Sequence, residues 1–524
     1  MTSTFHGLET SKRALLVNTV SMQTMGHNIA NANTEGYTRQ RVNISAASPI
    51  WQMGMTKSQA AGQLGTGVEY DSITRVRDSY LDLQYRRENQ ALGSYDVLNT
   101  TMTSIQNIIN EPSDTGLSSV MDDFWNSWET LNRDPSLLSA RVSVVGSAQN
   151  LSDTLKHVGE SLTNITTDTN ANIGKKVTEA NDLINNIAKL NDIIRRNESL
   201  GDNANDYRDQ RDLLIDKLST IVDVSVTEGT DGMVSITSAG VNVVDGVNVT
   251  ELTAANAQTA TGGQLNGYVK SLQEVDTIRN QLNGMVQTLV TGPVKVTLDN
   301  GYMTPKDMTA LNDVTLSNGT TILAGNTIPA GSTVTSSMTV MVNGFNGLHE
   351  LGYSLSNPAT AGTPFFVASD GGDFTIDNLA VNPDIVSNTD KIASSSKYET
   401  VGGVNKTIRG NSDIASAIVG LRDAVFQFPA NLTSLSQGTT DDYFRALTGD
   451  LGLRAQNIER NFNNETNLTS ALETRRQSVS GVSMDEELSD MIRFQQAYNA
   501  SARVMTAVDE MLDKIINGMG TVGR

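Results

Sequence analysis

Hydrophobic positions recur with a helical period at both ends of the chain. Leu8, Leu15, Met22 and Ile29 fall at steps of seven, with Met25 between them. Near the other end Met484, Leu488, Met491, Tyr498, Met505, Val508, Leu512 and Ile515 run at steps of three, four and seven, and Phe494 shares that segment. An apolar line at this spacing marks one narrow stripe on a helix, the seam of a coiled coil. Residues 4–31 read as one amphipathic helix, ended by the turn formers Asn31, Asn33 and Gly36. Two stripes at opposite ends of a long chain predict that the termini pair and present further surface to other molecules. That favours an assembly subunit over an enzyme.

Between the ends the pattern changes several times. Residues 37–76 alternate, through Tyr37, Arg39, Val42, Ile44, Val68, Tyr70 and Ile73, and predict extended chain with short strands. Helical periods return with Tyr95, Leu98, Met102, Ile105 and Ile109, stopping before Pro112, and again with Leu117, Met121, Phe124, Trp125, Trp128 and Leu131. From about 137 to 197 apolar residues keep the step of three and four, from Val144 and Leu151 to Ile184 and Ile187. One helix over that span would be about 90 Å long. Another is predicted over 204–220, short antiparallel strands over 221–262, and a further helix over 264–290. Residues 293–400 are rich in Thr, Ser, Gly, Asn and Val and hold six of the ten prolines, which predicts an all-β insertion. Helical signals return at about 411–426 and dominate 440–517.

The expected fold is mainly α with β, in a nested, elongated architecture. Residues 1–45 and 484–524 form a terminal helical coiled-coil assembly domain. Residues 46–292 and 401–483 form an elongated bundle with a β-hairpin part at 221–262, and 293–400 form the β-rich insertion.

Composition narrows the function. A chain of 524 residues is long enough for several domains. Only 38% of it is hydrophobic and 5% aromatic, which suits long helices and thin β-layers better than a broad catalytic core. With 58 acidic and 38 basic side chains the net charge is −20, and no dense Lys/Arg run offsets it, so nucleic acid is not an expected partner. Cysteine is absent, which removes disulfides, thiolate metal sites and a thiol nucleophile. No apolar run is long enough to span a membrane, and the start lacks a secretory signal pattern. The expected location is the cytosol, or a destination reached without that signal.

Candidate chemistry is sparse. His6, His27, His157 and His349 show no metal-ligand spacing. Asp206–Asp216, with Arg208, Arg211 and Lys217, and the Glu473–Arg475 stretch are rich in carboxylates. Mixed signs at helical spacing predict a solvated face or intersubunit ion pairs there. Gly262-Gly263 and Gly371-Gly372 lack a phosphate-loop context and read as turns. Trp125 and Trp128 could form a sugar platform, but at helical spacing beside Met121 and Leu131 they are expected in a bundle core. No catalytic, cofactor-binding or metal-binding residue is assigned.

The segment Asn28–Val42, NIANANTEGYTRQRV, strongly resembles the signature that follows the first helix in the rod, hook and hook-associated axial proteins of the bacterial flagellum. Its Tyr37-Thr38-Arg39-Gln40 continuation is most similar to the first junction protein between hook and filament. Residues 481–516, around Arg493-Phe494-Gln495-Gln496-Ala497-Tyr498, resemble the terminal helix of that family. Asp206–Leu218, Gly262–Leu265 and Asn343–Gly352 with Phe365-Phe366 are similar to its intermediate blocks. Glu35 departs from the pattern, and the stretch before Asn343 is longer than the pattern.

The resemblance implies a structural subunit that polymerises at the hook–filament junction. It implies contacts with its own copies, the hook protein and the second junction protein, and a cytosolic export chaperone on the C-terminal helix. Export by the flagellar type III apparatus to the outside of the cell follows. Neither a cofactor nor membrane insertion is implied. The assembly interface is expected at Leu8, Leu15, Met22, Met25, Ile29, Leu488, Met491, Phe494, Tyr498, Met505, Leu512 and Ile515, with the Asn31–Arg41 loop (Asn31, Asn33, Gly36, Tyr37, Arg39). The alternatives are a rod or hook protein, or an exported adhesin or enzyme acting through 293–400.

Overall fold

The structure, a computed structural model, describes residues 5–49, 65–229, 231–430 and 435–518. Twelve helices lie among them: α1 (His6–Ala30), α2 (Ser79–Ile109), α3 (Leu117–Arg133), α4 (Leu138–Glu198), α5 (Asn205–Ile221), α6 (Ala254–Ala257), α7 (Gly263–Thr291), α8 (Gly344–His349), α9 (Pro383–Ser387), α10 (Asp413–Gly420), α11 (Thr440–Ser480) and α12 (Met484–Gly518). The strands form small antiparallel sheets, one of four strands and the others of two. The fold is mainly α with β, as the periodicities indicated. α2 stops shortly before Pro112, which disfavours helical backbone in the residue ahead of it. α4 runs unbroken for 61 residues and carries Arg195 and Arg196 in its last turn, where cations suit the helix dipole.

Contacts gather the chain into two discontinuous units: residues 1–96, 173–267 and 462–524, and residues 97–172 and 268–461. The division falls inside α2, α4, α7 and α11. The second unit holds the whole of 293–400 together with α3 and α10, and the first holds both chain ends with the 221–262 strands. Of the expected domains, residues 1–4, 50–64, 230, 431–434 and 519–524 lie outside the described residues.

In the first unit Gln40–Ala46 pairs with Val68–Arg75. The four-stranded sheet runs in chain order through Ser225–Glu228, Val234–Ser238, Val241–Asp245 and Asn248–Val249. Its core is aliphatic, with Ile184, Ile187, Ile215, Leu218, Ile236 and Val244 buried. Asn191 of α4 is fully buried and ties the sheet on, donating to the Val234 and Gly246 carbonyls at 2.8 and 2.7 Å and accepting from Val234 N.

The second unit has the larger apolar core. Pro293–Leu298 pairs with Met338–Asn343, setting Val294, Val296 and Leu298 opposite Val342, Val340 and Met338 on the buried face. The strand period of two produces that one-sided burial. Phe124, Trp125 and Trp128 of α3 pack with Phe345, Phe365 and Phe366, at ring separations of 5.0–6.4 Å. Trp125 and Trp128 are therefore core residues. The 293–400 stretch contains α8 and α9 besides its strand pairs, and the 411–426 helix shortens to α10, a 3-10 turn and the strand Phe426–Gln427. His349 lies fully buried in the same core. Its Nδ1 donates to the Thr363 carbonyl at 2.6 Å and its Nε2 accepts from Ala393 N at 2.9 Å, which fixes a neutral tautomer.

Candidate functional site

The termini pair, as antiparallel helices in the first unit. A Cβ on Gly7 would sit 3.3 Å from Val508, and Asn28 Nδ2 donates to Glu487 Oε2 at 3.0 Å. The 21 residues from Gly7 to Asn28 match the 21 from Glu487 to Val508, so α1 and α12 run alongside in constant register.

The buried line of α1 is polar. Ser11, Val17, Asn18, Ser21, Thr24 and Asn28 are its buried residues. Ser11, Ser21 and Thr24 donate to the carbonyls of Gly7, Val17 and Val20 at 2.9–3.0 Å. Each hydroxyl is satisfied by its own helix, so burial costs little. Small side chains also let two helix axes approach closely.

At the end of this pair the loop after α1 makes a polar clasp. Asn28 Oδ1 accepts from Tyr37 Oη at 2.7 Å and Gln40 N at 3.0 Å, while its Nδ2 donates to the Gln40 carbonyl at 2.9 Å and to Glu487. That exhausts the four bonds an amide side chain can make. Glu487, buried at the start of α12, also accepts from Arg39 Nε at 2.7 Å. Arg39 reaches Glu486 with Nη1 at 3.0 Å, and its backbone N donates to the Ser480 carbonyl. Gly36 adopts φ +77°, and a Cβ there would lie 3.0 Å from Leu213, so the turn tolerates no ordinary side chain. Burial, then Asp206, Asp209 and Glu487, push the Tyr37 phenol well up, leaving it a fixed donor.

Beneath the clasp lies a cluster of four arginines and four aspartates. Arg75 Nη1 bonds Asp209 and Asp212, both at 2.8 Å. Arg77 bonds Asp82 at 2.5 Å and pairs with Asp212 at 3.2 Å. Arg86 bonds Asp216 at 2.6 Å, and Arg476 of α11 bonds the other oxygen of Asp216 at 2.7 Å while its guanidinium lies 4.3 Å from the centre of the Tyr85 ring. Asp209 Oδ2 accepts from Thr38 N at 2.9 Å, joining cluster to loop.

Burial alone would raise the Asp212 carboxyl, but Arg77, Arg75, Arg86 and Arg211 hold it well below the usual carboxylate range. Asp209 goes the other way, pushed up by burial against the opposing pull of Arg75. Arg211, buried without a carboxylate in bonding range, is pulled down to about 10 by burial. The expectation of a solvated charged face along α5 is therefore corrected: Asp209, Arg211, Asp212 and Asp216 are buried. The reason is that Arg75, Arg77, Arg86 and Arg476 bring neutralising charge to the three aspartates from elements distant in sequence, while Arg211 donates to Asn191 Oδ1 and the Gly232 carbonyl.

A cavity of about 650 Å³, with Tyr37, Arg39, Leu213, Arg476 and Glu486 in its wall, opens at the clasp. Its charged side chains are taken up in mutual ion pairs, so the arrangement holds helices in place. Among the described residues no group of three His, Asp or Glu is placed to hold a metal, and no helix is long and apolar enough to cross a membrane.

The expected interface residues divide into three groups. Leu8, Leu15, Met22, Met25 and Ile29 are half-buried beside the polar line of α1, as are Met491, Phe494 and Met505 on α12. Leu512 is buried, whereas Leu488, Tyr498 and Ile515 are exposed, at 46%, 36% and 48%. Gly36, Tyr37 and Arg39 belong to the clasp, Asn31 caps α1 by donating to the His27 carbonyl, and Asn33 is exposed. Sequence reasoning missed Asn28, Glu487 and the aspartates of α5. Asp209, Asp212 and Asp216 share one helix face at steps of three and four, and Arg75, Arg77 and Arg86 form a matching basic set. That pairing of opposite stripes was the available signal.

Residues 102–366 match the model of the flagellar hook-associated protein FlgK helical domain, and residues 475–518 match that of the flagellar basal body rod FlgEFG protein C-terminal region. Flagellar hook-associated protein 1 of Bacillus subtilis is 33% identical over the full length of both chains. The protein of the same description from Salmonella typhimurium is 26% identical over 95% of this chain and 97% of its own. A solved structure of the flagellar hook junction protein FlgK from Burkholderia pseudomallei aligns with a TM-score of 0.45 and 15% identity, over 75% of this chain and 100% of that one. The full-length identity to the Bacillus relative, with both family matches, shows that this chain belongs to the flagellar hook-associated protein 1 family.

Proposed function

We propose that the chain is a structural subunit of the bacterial flagellum that assembles at the hook–filament junction, joining hook to filament. The observation that carries this reading is the outer surface of α12. Met484, Leu488, Ile492, Val504, Met511, Ile515 and Ile516 are 44–63% exposed there. The described residues of one chain do not cover this surface, and a shell of neighbours would. Each apolar side chain removed from water contributes roughly 1.5–3 kcal/mol when fully buried, so neighbouring copies supply the stability that the polar α1–α12 seam lacks.

In this reading the hook protein lies on one side of the assembly and the second junction protein on the other. The subunit travels through the flagellar type III apparatus to the cell exterior, with an export chaperone on α12 beforehand. It acts by fitting between neighbours and catalyses no reaction. Family membership supports the partner and export assignments, and the absorption of the site's charges into helix-holding ion pairs supports the structural one.

Imaging detached hook–filament structures with an antibody against residues 293–400 tests the reading. A single labelled band between hook and filament is the expected result. Label along the whole filament, along the hook, or on neither contradicts it.

A further inference from the structure

The second unit carries a projection and a recess that the described residues leave unfilled. Tyr398–Val401 and Val404–Thr407 form a hairpin closed by Gly402 and Gly403, at φ +62° and +83°. The two glycines make a narrow tip flanked by Val401 and Val404, 48% and 38% exposed, while Ile408 at the base is 41% exposed. Its base is pinned. Tyr398 stacks edge-on against Tyr353 at 5.0 Å, Ala359 N donates to the Asn405 carbonyl at 2.8 Å, and Thr407 Oγ1 donates to the Ser354 carbonyl. A strand pair held in this way with apolar residues at its tip has a surface that the described residues leave uncovered.

The recess, of about 900 Å³, has Met308, Leu311, Met341 and Phe366 in its wall and Lys306, Asp307 and Glu350 among its polar groups. Its volume suits the insertion of several side chains. Charge is complementary. The hairpin itself is neutral, with Glu399 opposite Lys406, and Lys397 and Arg409 beside its base make the flanks positive in a chain of net charge −20. In the recess Lys306 is paired with Glu350 at 3.3 Å, while Asp307, with Asp370 and Asp373 in the adjoining loop, adds negative charge. Unlike charges at matched positions steer association and suppress wrong registers.

We infer that the 398–407 hairpin of one copy inserts into this recess of the next copy. The inference rests on the junction reading above and names the contact between its neighbouring subunits. Because knob and hole are different patches of the same chain, the contact is head-to-tail, the type that builds rings and helical arrays rather than closed pairs. Its occupancy rises with effective concentration, so it forms among copies already held side by side.

The absence of cysteine makes a direct test clean. The double variant Met341→Cys/Val404→Cys is expressed in bacteria lacking their own junction protein. Detached hook–filament structures are then treated with a short bismaleimide. Both positions are exposed, so the fold is retained, which a melting curve checks. The expected result is a ladder of covalent multimers from the double variant, with at least ten-fold less from either single variant or from Leu453→Cys/Val404→Cys. Filaments that assemble normally while the double variant stays monomeric overturn the inference and leave the junction reading standing. If the unaltered chain never enters the junction, the reading itself falls and the inference with it. As a second measurement, Val401→Asp/Val404→Asp is expected to lower junction occupancy several-fold without shifting the melting temperature. Unchanged occupancy overturns the inference.

Discussion

The two units are held together by different physics. Around Trp128 the second unit packs aromatic and aliphatic side chains whose contacts are short-ranged and interchangeable in kind. Around Asp212 the first unit buries charge, and each group has an assigned partner from a distant segment. Taking ions out of water is costly, and the cluster is favourable only because each of its four aspartates is met by arginine at close range. An apolar core selects for volume, whereas an ionic one selects for identity. The second kind suits the place where α1, the following loop and the start of α12 must meet in one register.

The comparison fails if substitution costs do not follow those rules. The largest expected effect is at Asp212. Asp212→Asn keeps the size but leaves Arg75, Arg77 and Arg86 short of a negative charge. It is expected to cost about 3–5 kcal/mol in urea denaturation. Trp128→Phe removes more volume, yet its indole N–H finds no acceptor among the described residues. Its expected cost is lower, about 1–2 kcal/mol. Equal costs would remove the distinction between the two regions.

His349 gives the apolar region a pH signature. Burial pulls its imidazole down to about 4 against the opposing Thr363 bond. The unfolded chain has the ordinary value near 6.5 and binds the proton first as pH falls. The stabilising contribution is therefore complete above about pH 6.5 and is lost progressively towards pH 4, amounting to roughly 3 kcal/mol. Urea midpoints at pH 7 and pH 4.5 should draw closer in His349→Gln than in the unaltered chain. Parallel losses in both would show that His349 does not carry the slope.

Salt should have the smallest effect. The exposed Arg39–Glu486 pair is screened as salt rises from 0.15 to 1 M, and Asp212 is not. A change under about 1 kcal/mol is expected. A larger loss would mean that the buried cluster admits solvent ions.

The helices were legible because a period sustained over many turns leaves little choice of element, as in α4. The α1–α12 pairing was legible too, but its face was not. Leucines and methionines marked the stripe, while the buried line beside it is Ser11, Asn18, Ser21 and Asn28, which helical self-bonding makes inexpensive to bury. The burial of the α5 aspartates was harder to read for a related reason, with only the matching set of arginines to signal it. Polarity along a helix does not report burial when neutralising partners lie 130 to 260 residues away, as Arg86 and Arg476 do from Asp216. The Trp125/Trp128 core was visible because aromatic residues at helical spacing have few other uses.

The central claim is that the outward apolar residues of α12 serve neighbours and not the fold of their own chain. Leu488→Asp/Ile515→Asp, introduced into bacteria lacking their own junction protein, tests it most directly. Both sites are about half exposed, so the purified variant should keep its stability within about 0.5 kcal/mol. Cells carrying it should make hooks without attached filaments. Normal filaments would contradict the account, as would a variant that fails to fold as a monomer.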